Sequence, residues 1–231
     1  MTAICIFSEI HKENALLLSL RLNIPMINEL RANETIIIMG SALNPWKLLD
    51  FQYKNPVTYY ILQAENVTSH FFQDKKYVTL LRKNPTFHYS EYNALECEKR
   101  WGIKSAGIFD WEFLNRNNEY NTCKQPIDLL FYGYMNEERE DVEVFLKEKY
   151  PDKNIVFAFG TYHEKLLELL VKAKYVINIP YFKSSALETH RINQALACGC
   201  KVFSKRSACE SLNKRYESKI TFIQDWDEIK L

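Results

Sequence analysis

Glycine is scarce. The 231 residues contain six, Gly40, Gly102, Gly107, Gly133, Gly160 and Gly199. They are too dispersed to form a Gly-x-Gly-x-x-Gly turn or a Gly-Lys-Ser/Thr phosphate loop, both of which cluster glycines so that backbone amides can close on phosphate. A dinucleotide dehydrogenase and a P-loop nucleotidase are disfavoured on that ground. A Rossmann-type methyltransferase is disfavoured too, because the loop 8–13 after the first apolar run lacks a glycine-rich turn. An excess of charge of one sign is also missing. The formal net charge is +1, and basic and acidic residues nearly balance in each half, so neither half reads as a polyanion-binding domain and no nucleic-acid partner is expected. No apolar run approaches the roughly 18 residues of a membrane span. The N-terminus lacks the basic region and apolar core of an export signal, so the sequon Asn66-Val67-Thr68 carries little weight. The expectation is a cytoplasmic protein without a transmembrane segment, with peripheral membrane contact and oligomeric state left open. The six cysteines are scattered except for Cys198-Gly199-Cys200 and offer no Cys-x2-Cys pair. They read as reduced thiols, and no metal site is expected.

What is present is apolar and alternating. With 47% hydrophobic and 14% aromatic residues, the chain has the apolar content to offset the ordering entropy of a fold. Short β-branched and aromatic runs alternate with helix-length stretches. In the first half, 3–7, 35–39, 57–62 and 86–89 read as strands, and 13–22, 44–51, 69–83 and 91–101 as helices, the last capped by Ser90. Residues 115–126 form the one long polar, proline-terminated stretch and read as a linker. In the second half, 127–132, 154–159, 175–179, 201–204 and 220–223 read as strands, with helices at 136–149, 163–171, 186–197 and 208–215. About five strands per half, each separated by a helix, predicts an α/β protein of two small Rossmann-like parallel-sheet domains in tandem, 1–120 and 121–231. Such sheets bind ligands at the carboxyl ends of their strands, here facing an interdomain cleft.

The residues after the predicted strands are therefore the candidates. Gly133 permits a tight turn before a helix whose free amides and dipole suit a diphosphate, with Arg139 as a bidentate partner. The acids Glu137 and Glu138 fit equally a plain helix start. Asn178 closes a strand, and Glu188, Arg191, Asn193 and Gln194 lie on the following helix, where Glu188 and Arg191 also fit an ordinary i,i+3 ion pair. In the first half, Gln63 and Glu65 follow a strand. His88, Tyr89 and Ser90 close another, and Asn93 begins a helix. Tyrosine and asparagine suit sugar rings and hydroxyls, while the plainer reading makes Ser90 a helix cap and His88 a surface histidine. Glu9 or His11, after the first strand, are candidate general bases.

The stretch 175–204, ending Gln194-Ala195-Leu196-Ala197-Cys198-Gly199-Cys200-Lys201-Val202, resembles the donor-binding segment of retaining glycosyltransferases of the two-Rossmann-domain (GT-B) fold, the glycosyl transferases group 1 superfamily. Shorter stretches, 60–66, 89–93 and Asp128-Leu129-Leu130-Phe131-Tyr132-Gly133, are similar to short members of that superfamily. Aligned without gaps, the family's Glu-x7-Glu pair falls on Ala186 and Gln194. The resemblance implies a metal-independent, hexosyltransferase-type enzyme that moves a sugar from a nucleotide-diphosphate sugar, such as a UDP- or GDP-sugar, to a glycan or glycoconjugate hydroxyl. It implies no cofactor, and no Asp-x-Asp motif is present. Donor binding would fall to Gly133, Arg139, Asn178, Glu188, Arg191, Asn193 and Gln194, and acceptor binding to Gln63, Glu65, Tyr89 and Asn93. Glu188, Glu9 and His11 are the catalytic candidates. The alternative is a catalytically eroded GT-B-like module that binds a sugar or nucleotide, or a subunit of a larger transferase.

Overall fold

The computed structural model describes residues 1–116 and 125–231. The expected boundary at 120, most of the linker 115–126 and Cys123 lie outside the described residues. The chain divides into two compact units, Met1–Glu112 and Phe113–Leu231.

The first unit is a parallel sheet of β1 (Thr2–Ile6), β2 (Met26–Ile27), β3 (Thr35–Met39), β4 (Thr58–Gln63), β5 (Thr86–His88) and β6 (Ser105–Ile108), in the order β2-β1-β3-β4-β5-β6. Its helices are α1 (Lys12–Leu22), α2 (Pro45–Lys54), α3 (Lys75–Lys83) and α4 (Glu91–Trp101). Along β4 the burial alternates, with Tyr59, Ile61 and Gln63 inside. That period of two presents Tyr59 and Ile61 to Leu48 of α2 and to Tyr77, Leu80 and Leu81 of α3, all within one core. Each such side chain removed from water contributes about 1.5–3 kcal/mol.

The sheet has two more strands than the four read in this half of the sequence. The additions are β2, two residues long, and β6, whose pattern Ser-Ala-Gly-Ile carries almost no strand propensity and is largely exposed. The helix expected over 69–83 is split. Residues His70–Gln73 form a 3-10 turn, and Asp74 then caps α3 by accepting from the amide of Lys76 at 2.8 Å.

The second unit contains β7 (Ile127–Gly133), β8 (Ile155–Phe159), β9 (Ala173–Asn178), β10 (Lys201–Lys205) and β11 (Thr221–Ile223), all parallel, in the order β11-β10-β9-β7-β8. Its helices are α5 (Glu137–Lys149), α6 (His163–Leu170), α7 (Thr189–Ala197) and α8 (Glu210–Tyr216). The interior strand β7 is buried on both faces, so Leu129 and Phe131 pack on one side while Leu130 faces the other. The helix expected from residue 186 begins at Thr189. Before it, Ala186 and Leu187 plug the core from a loop in which Ser184 is left-handed, with φ +56°.

Counted from the first strand of each unit, both sheets run second, first, third, fourth, fifth, and the first unit adds a sixth beyond them. In this doubly wound order the chain leaves the first strand in one direction and returns on its other side. The reversal opens a crevice outside the carboxyl ends of the first and third strands. That crevice lies at β1 and β3 in one unit and at β7 and β9 in the other. No described helix is long and apolar enough to cross a membrane.

Candidate functional site

In the second unit the crevice at β7 and β9 gathers five of the seven residues expected at the donor side. Gly133 ends β7 with φ +143°, and a Cβ there would stand 2.8 Å from Nη2 of Arg191. The missing side chain is thus what admits the guanidinium, since an L residue would carry both that contact and an unfavourable backbone.

Arg139 lies one turn into α5 and is 1% exposed, the largest fully buried side chain of the described residues. Its Nε donates to the carbonyl of Ile179 at 3.0 Å, its Nη2 to the same carbonyl, and its Nη1 to the carbonyl of Tyr134. The fork therefore ties the loop after β7 to the loop after β9. Its face covers the Phe131 and Tyr181 rings, at 4.9 and 5.2 Å from their centroids. Burial lowers its pKa to about 10, with Glu188 opposing and Arg191 adding to the shift, which leaves it protonated at neutral pH.

Asn178, fully buried at the end of β9, donates to the Ser204 hydroxyl at 3.0 Å and accepts from Nη1 of Arg191 at 3.0 Å. The Glu188 carboxylate accepts from Nη1 of Arg191, lies 3.5 Å from Nη2 of Arg139 through each oxygen, and is 3.4 Å from the amide of Tyr181. Two cations thus share one carboxylate. No other ion pair reaches either arginine among the described residues.

Asn193 and Gln194 stand apart from this network. Asn193 accepts from the Tyr216 hydroxyl at 2.6 Å and so fastens α7 to α8. Gln194 is half-buried on the same helix.

Several residues that shape the site were not among the expected ones. Asn136 caps α5 by accepting from the amide of Arg139 at 3.0 Å and donates to the Tyr181 carbonyl at 3.1 Å. An Asn before three charged residues at a strand's end is a readable capping signal. At α7, by contrast, Glu188 occupies the cap position without a side-chain cap, and the hydroxyl of Thr189, 1% exposed, makes no hydrogen bond. Tyr134 and Tyr162 stand on the rim with rings 6.5 Å apart. Burial, then the hydrogen bond to Tyr134, pushes the Tyr162 phenol to about 12.

In the first unit, Gly40 closes β3 with φ +75°, and a Cβ there would meet the amide of Ser8 at 3.0 Å, so the loops after β1 and β3 touch. Glu9 is exposed and pairs with Lys12 at 3.4 Å. His11 is buried and stacked on Trp111 at 5.1 Å with the rings 6° apart. Burial lowers its pKa to about 4, which makes it a weak base.

Gln63 and Asn93, both fully buried, donate to the Glu65 carbonyl at 2.6 and 2.9 Å, and Asn93 accepts from the amide of Val67 at 3.2 Å. These two amides therefore shape the turn that carries Glu65. Tyr89 is buried as well. The Glu65 carboxyl has no hydrogen bond or ion pair among the described residues, and burial raises its pKa to about 7.

Ser90 is a helix cap and accepts from the amide of Asn93 at 3.1 Å. His88 is not a surface residue. It is fully buried, neither ring nitrogen is hydrogen-bonded, and burial lowers its pKa to about 4. The reason is positional: His88 lies opposite Gln63 in the β4–β5 register, on the face covered by the helices. Among the described residues, no group of three His, Cys, Asp or Glu side chains is placed to hold a metal ion.

No protein-family model matches the sequence, and no curated protein does. Among solved structures, the chain is similar to sucrose-phosphate synthase from Thermosynechococcus elongatus, with a TM-score of 0.50 and 14% identity, over 84% of this chain and 61% of the synthase chain. The chain thus spans less than two thirds of that enzyme. The likeness shows a GT-B-like fold of two Rossmann-like domains.

Proposed function

We propose that the protein is a glycosyltransferase that takes a nucleotide-diphosphate sugar on its second unit and an acceptor hydroxyl on its first. The observation that carries this reading is the Arg139–Glu188–Arg191 cluster at the carboxyl ends of β7 and β9. It holds two cations against one carboxylate, in the crevice where a doubly wound sheet takes its ligand. A diphosphate fits that surplus. Arg191 offers a planar fork over Gly133, and the first-turn amides of α7 lie beside it without a side-chain cap. In glycosyl transfer the acceptor oxygen attacks the anomeric carbon and gives up its proton to the departing diphosphate or to solvent, the carbon–oxygen bond to the diphosphate breaks, and its electron pair leaves with the diphosphate. Fixed cations and amides stabilise that leaving charge through geometry prepared in advance. Asn178 and Glu188 would hold the Arg191 fork in place. Glu65 suits contact with a hydroxyl.

A second reading, a sugar- or nucleotide-binding module without turnover, is favoured by Ala186 and Gln194 at the positions where the resembled family carries two glutamates. Calorimetry with UDP- and GDP-sugars, joined to an assay for donor hydrolysis and transfer, separates the two. Binding with release of UDP or GDP supports the enzyme, binding without turnover for any donor supports the module, and no binding at all contradicts both.

A further inference from the structure

Arg139 bears a charge that its own hydrogen bonds do not require. Two backbone carbonyls, those of Ile179 and Tyr134, accept from it, and a neutral donor could satisfy each in part. A guanidinium that is 1% exposed is costly to desolvate unless its charge is used. The carboxylate within reach is Glu188, which at the same time accepts from Arg191.

Arg139 and Arg191 belong to different elements, α5 and α7, yet both lie against Phe131 and both flank the Cβ position of Gly133, at 3.5 Å for Nη1 of Arg139 and 2.8 Å for Nη2 of Arg191. Glu188 is therefore divided between two cations. Were Arg139 neutral, Glu188 and Arg191 would form a closed pair with no surplus. Glu138, half-buried on the first turn of α5, adds a weaker negative field at Arg139 than Glu188 does.

We infer that Arg139 is a positioning residue that acts through Glu188: it draws on the carboxylate's charge and so leaves the more accessible Arg191 fork able to take an anionic ligand that Arg139 never touches. The inference rests on the reading of this crevice as a diphosphate site and adds a specific rule. Affinity for a small polyanion should follow the net charge of the three side chains.

Four versions of the full chain test it with inorganic pyrophosphate in calorimetry at low salt: wild type, Arg139→Gln, Glu188→Gln and the double variant. Glutamine can still donate to the Ile179 carbonyl, which keeps the loop tie in part. Arg139→Gln should weaken pyrophosphate binding by about tenfold or more, the scale of one charge removed at short range in a partly buried site. Glu188→Gln should tighten it, and the double variant should return to within a few fold of wild type. A purely structural role for Arg139 predicts the reverse for the double variant, which would then bind no better than Arg139→Gln. Unchanged affinity in Arg139→Gln also overturns the inference. If Arg139→Gln fails to fold, Arg139→Lys takes its place: it keeps the charge and loses the fork, and should bind within a few fold of wild type, whereas a large loss there contradicts the charge argument. Wild type that binds no pyrophosphate overturns the diphosphate site itself together with this inference. Wild type that binds while the charge order fails overturns the inference alone.

Discussion

Gly133 and Arg191 constrain each other closely. With φ +143° and the Arg191 guanidinium 2.8 Å from where a Cβ would stand, Gly133→Ala displaces the fork even if the chain tolerates the backbone. Loss of one hydrogen bond to a charged group is worth about 1.5–3 kcal/mol. Affinity for UDP or GDP should therefore fall by roughly ten- to a hundredfold, and calorimetry that shows equal affinity would remove Arg191 from the ligand.

Two buried histidines and one acid give stability a defined dependence on pH. His11 and His88 have folded-state values near 4 against an ordinary 6.5. The unfolded chain binds their protons first, so their contribution is present above pH 6.5 and is lost as pH falls toward 4, at most ~3 kcal/mol for each. Glu65 works in the opposite sense. Raised from 4.5 to about 7, it contributes below pH 4.5, and the contribution is lost as pH rises through 7. Urea unfolding between pH 4 and 8 should show a shallower acid limb for His88→Leu and, because the opposing Glu65 contribution is gone, a steeper rise between about 4.5 and 6.5 for Glu65→Gln. Slopes identical to wild type would place these groups in more solvated surroundings than described here.

At the scale of elements, the helix starts reveal what local sequence can specify. Ser90 before 91–101 was readable because a hydroxyl preceding an acidic first turn has few other uses, and the cap bond to Asn93 is present. Asn136 does the same for α5 and also reaches the Tyr181 carbonyl. Asn136→Ala should cost about 1 kcal/mol in urea unfolding, the usual worth of a helix cap, and a cost near zero would show the tie to be solvated. Elements whose existence depends on neighbours were harder to read. The edge strands β2 and β6 are held by β1 and β5 rather than by their own residues. The late start of α7 follows from Ala186 and Leu187 being buried in a loop, which an apolar periodicity cannot distinguish from a helix. His88 was misread for the same reason: its burial comes from the helices laid over β5, and nothing in Phe87-His88-Tyr89 signals that cover.

At the scale of the whole molecule, the alternation of strand and helix was enough for a doubly wound architecture, and the GT-B-like neighbour agrees with it. The strand order, which locates the crevices, was not in the alternation, because it depends on which way each crossover turns. Knowing it changes how the site residues are weighed. Gly133, Asn178, Glu188 and Arg191 meet at the reversal between β7 and β9, Arg139 supports them from inside, and Asn193 serves the contact between α7 and α8.

The central claim is that the carboxyl edge of the second sheet holds the diphosphate of a nucleotide sugar. A crystal structure of the full chain grown with UDP or GDP tests it most directly. Density is expected over Gly133, with the diphosphate on the Arg191 fork and the first amides of α7, and with Arg139 still buried beneath. Density at the carboxyl edge of the first sheet instead, or a diphosphate bound with Arg191 turned away, would contradict it.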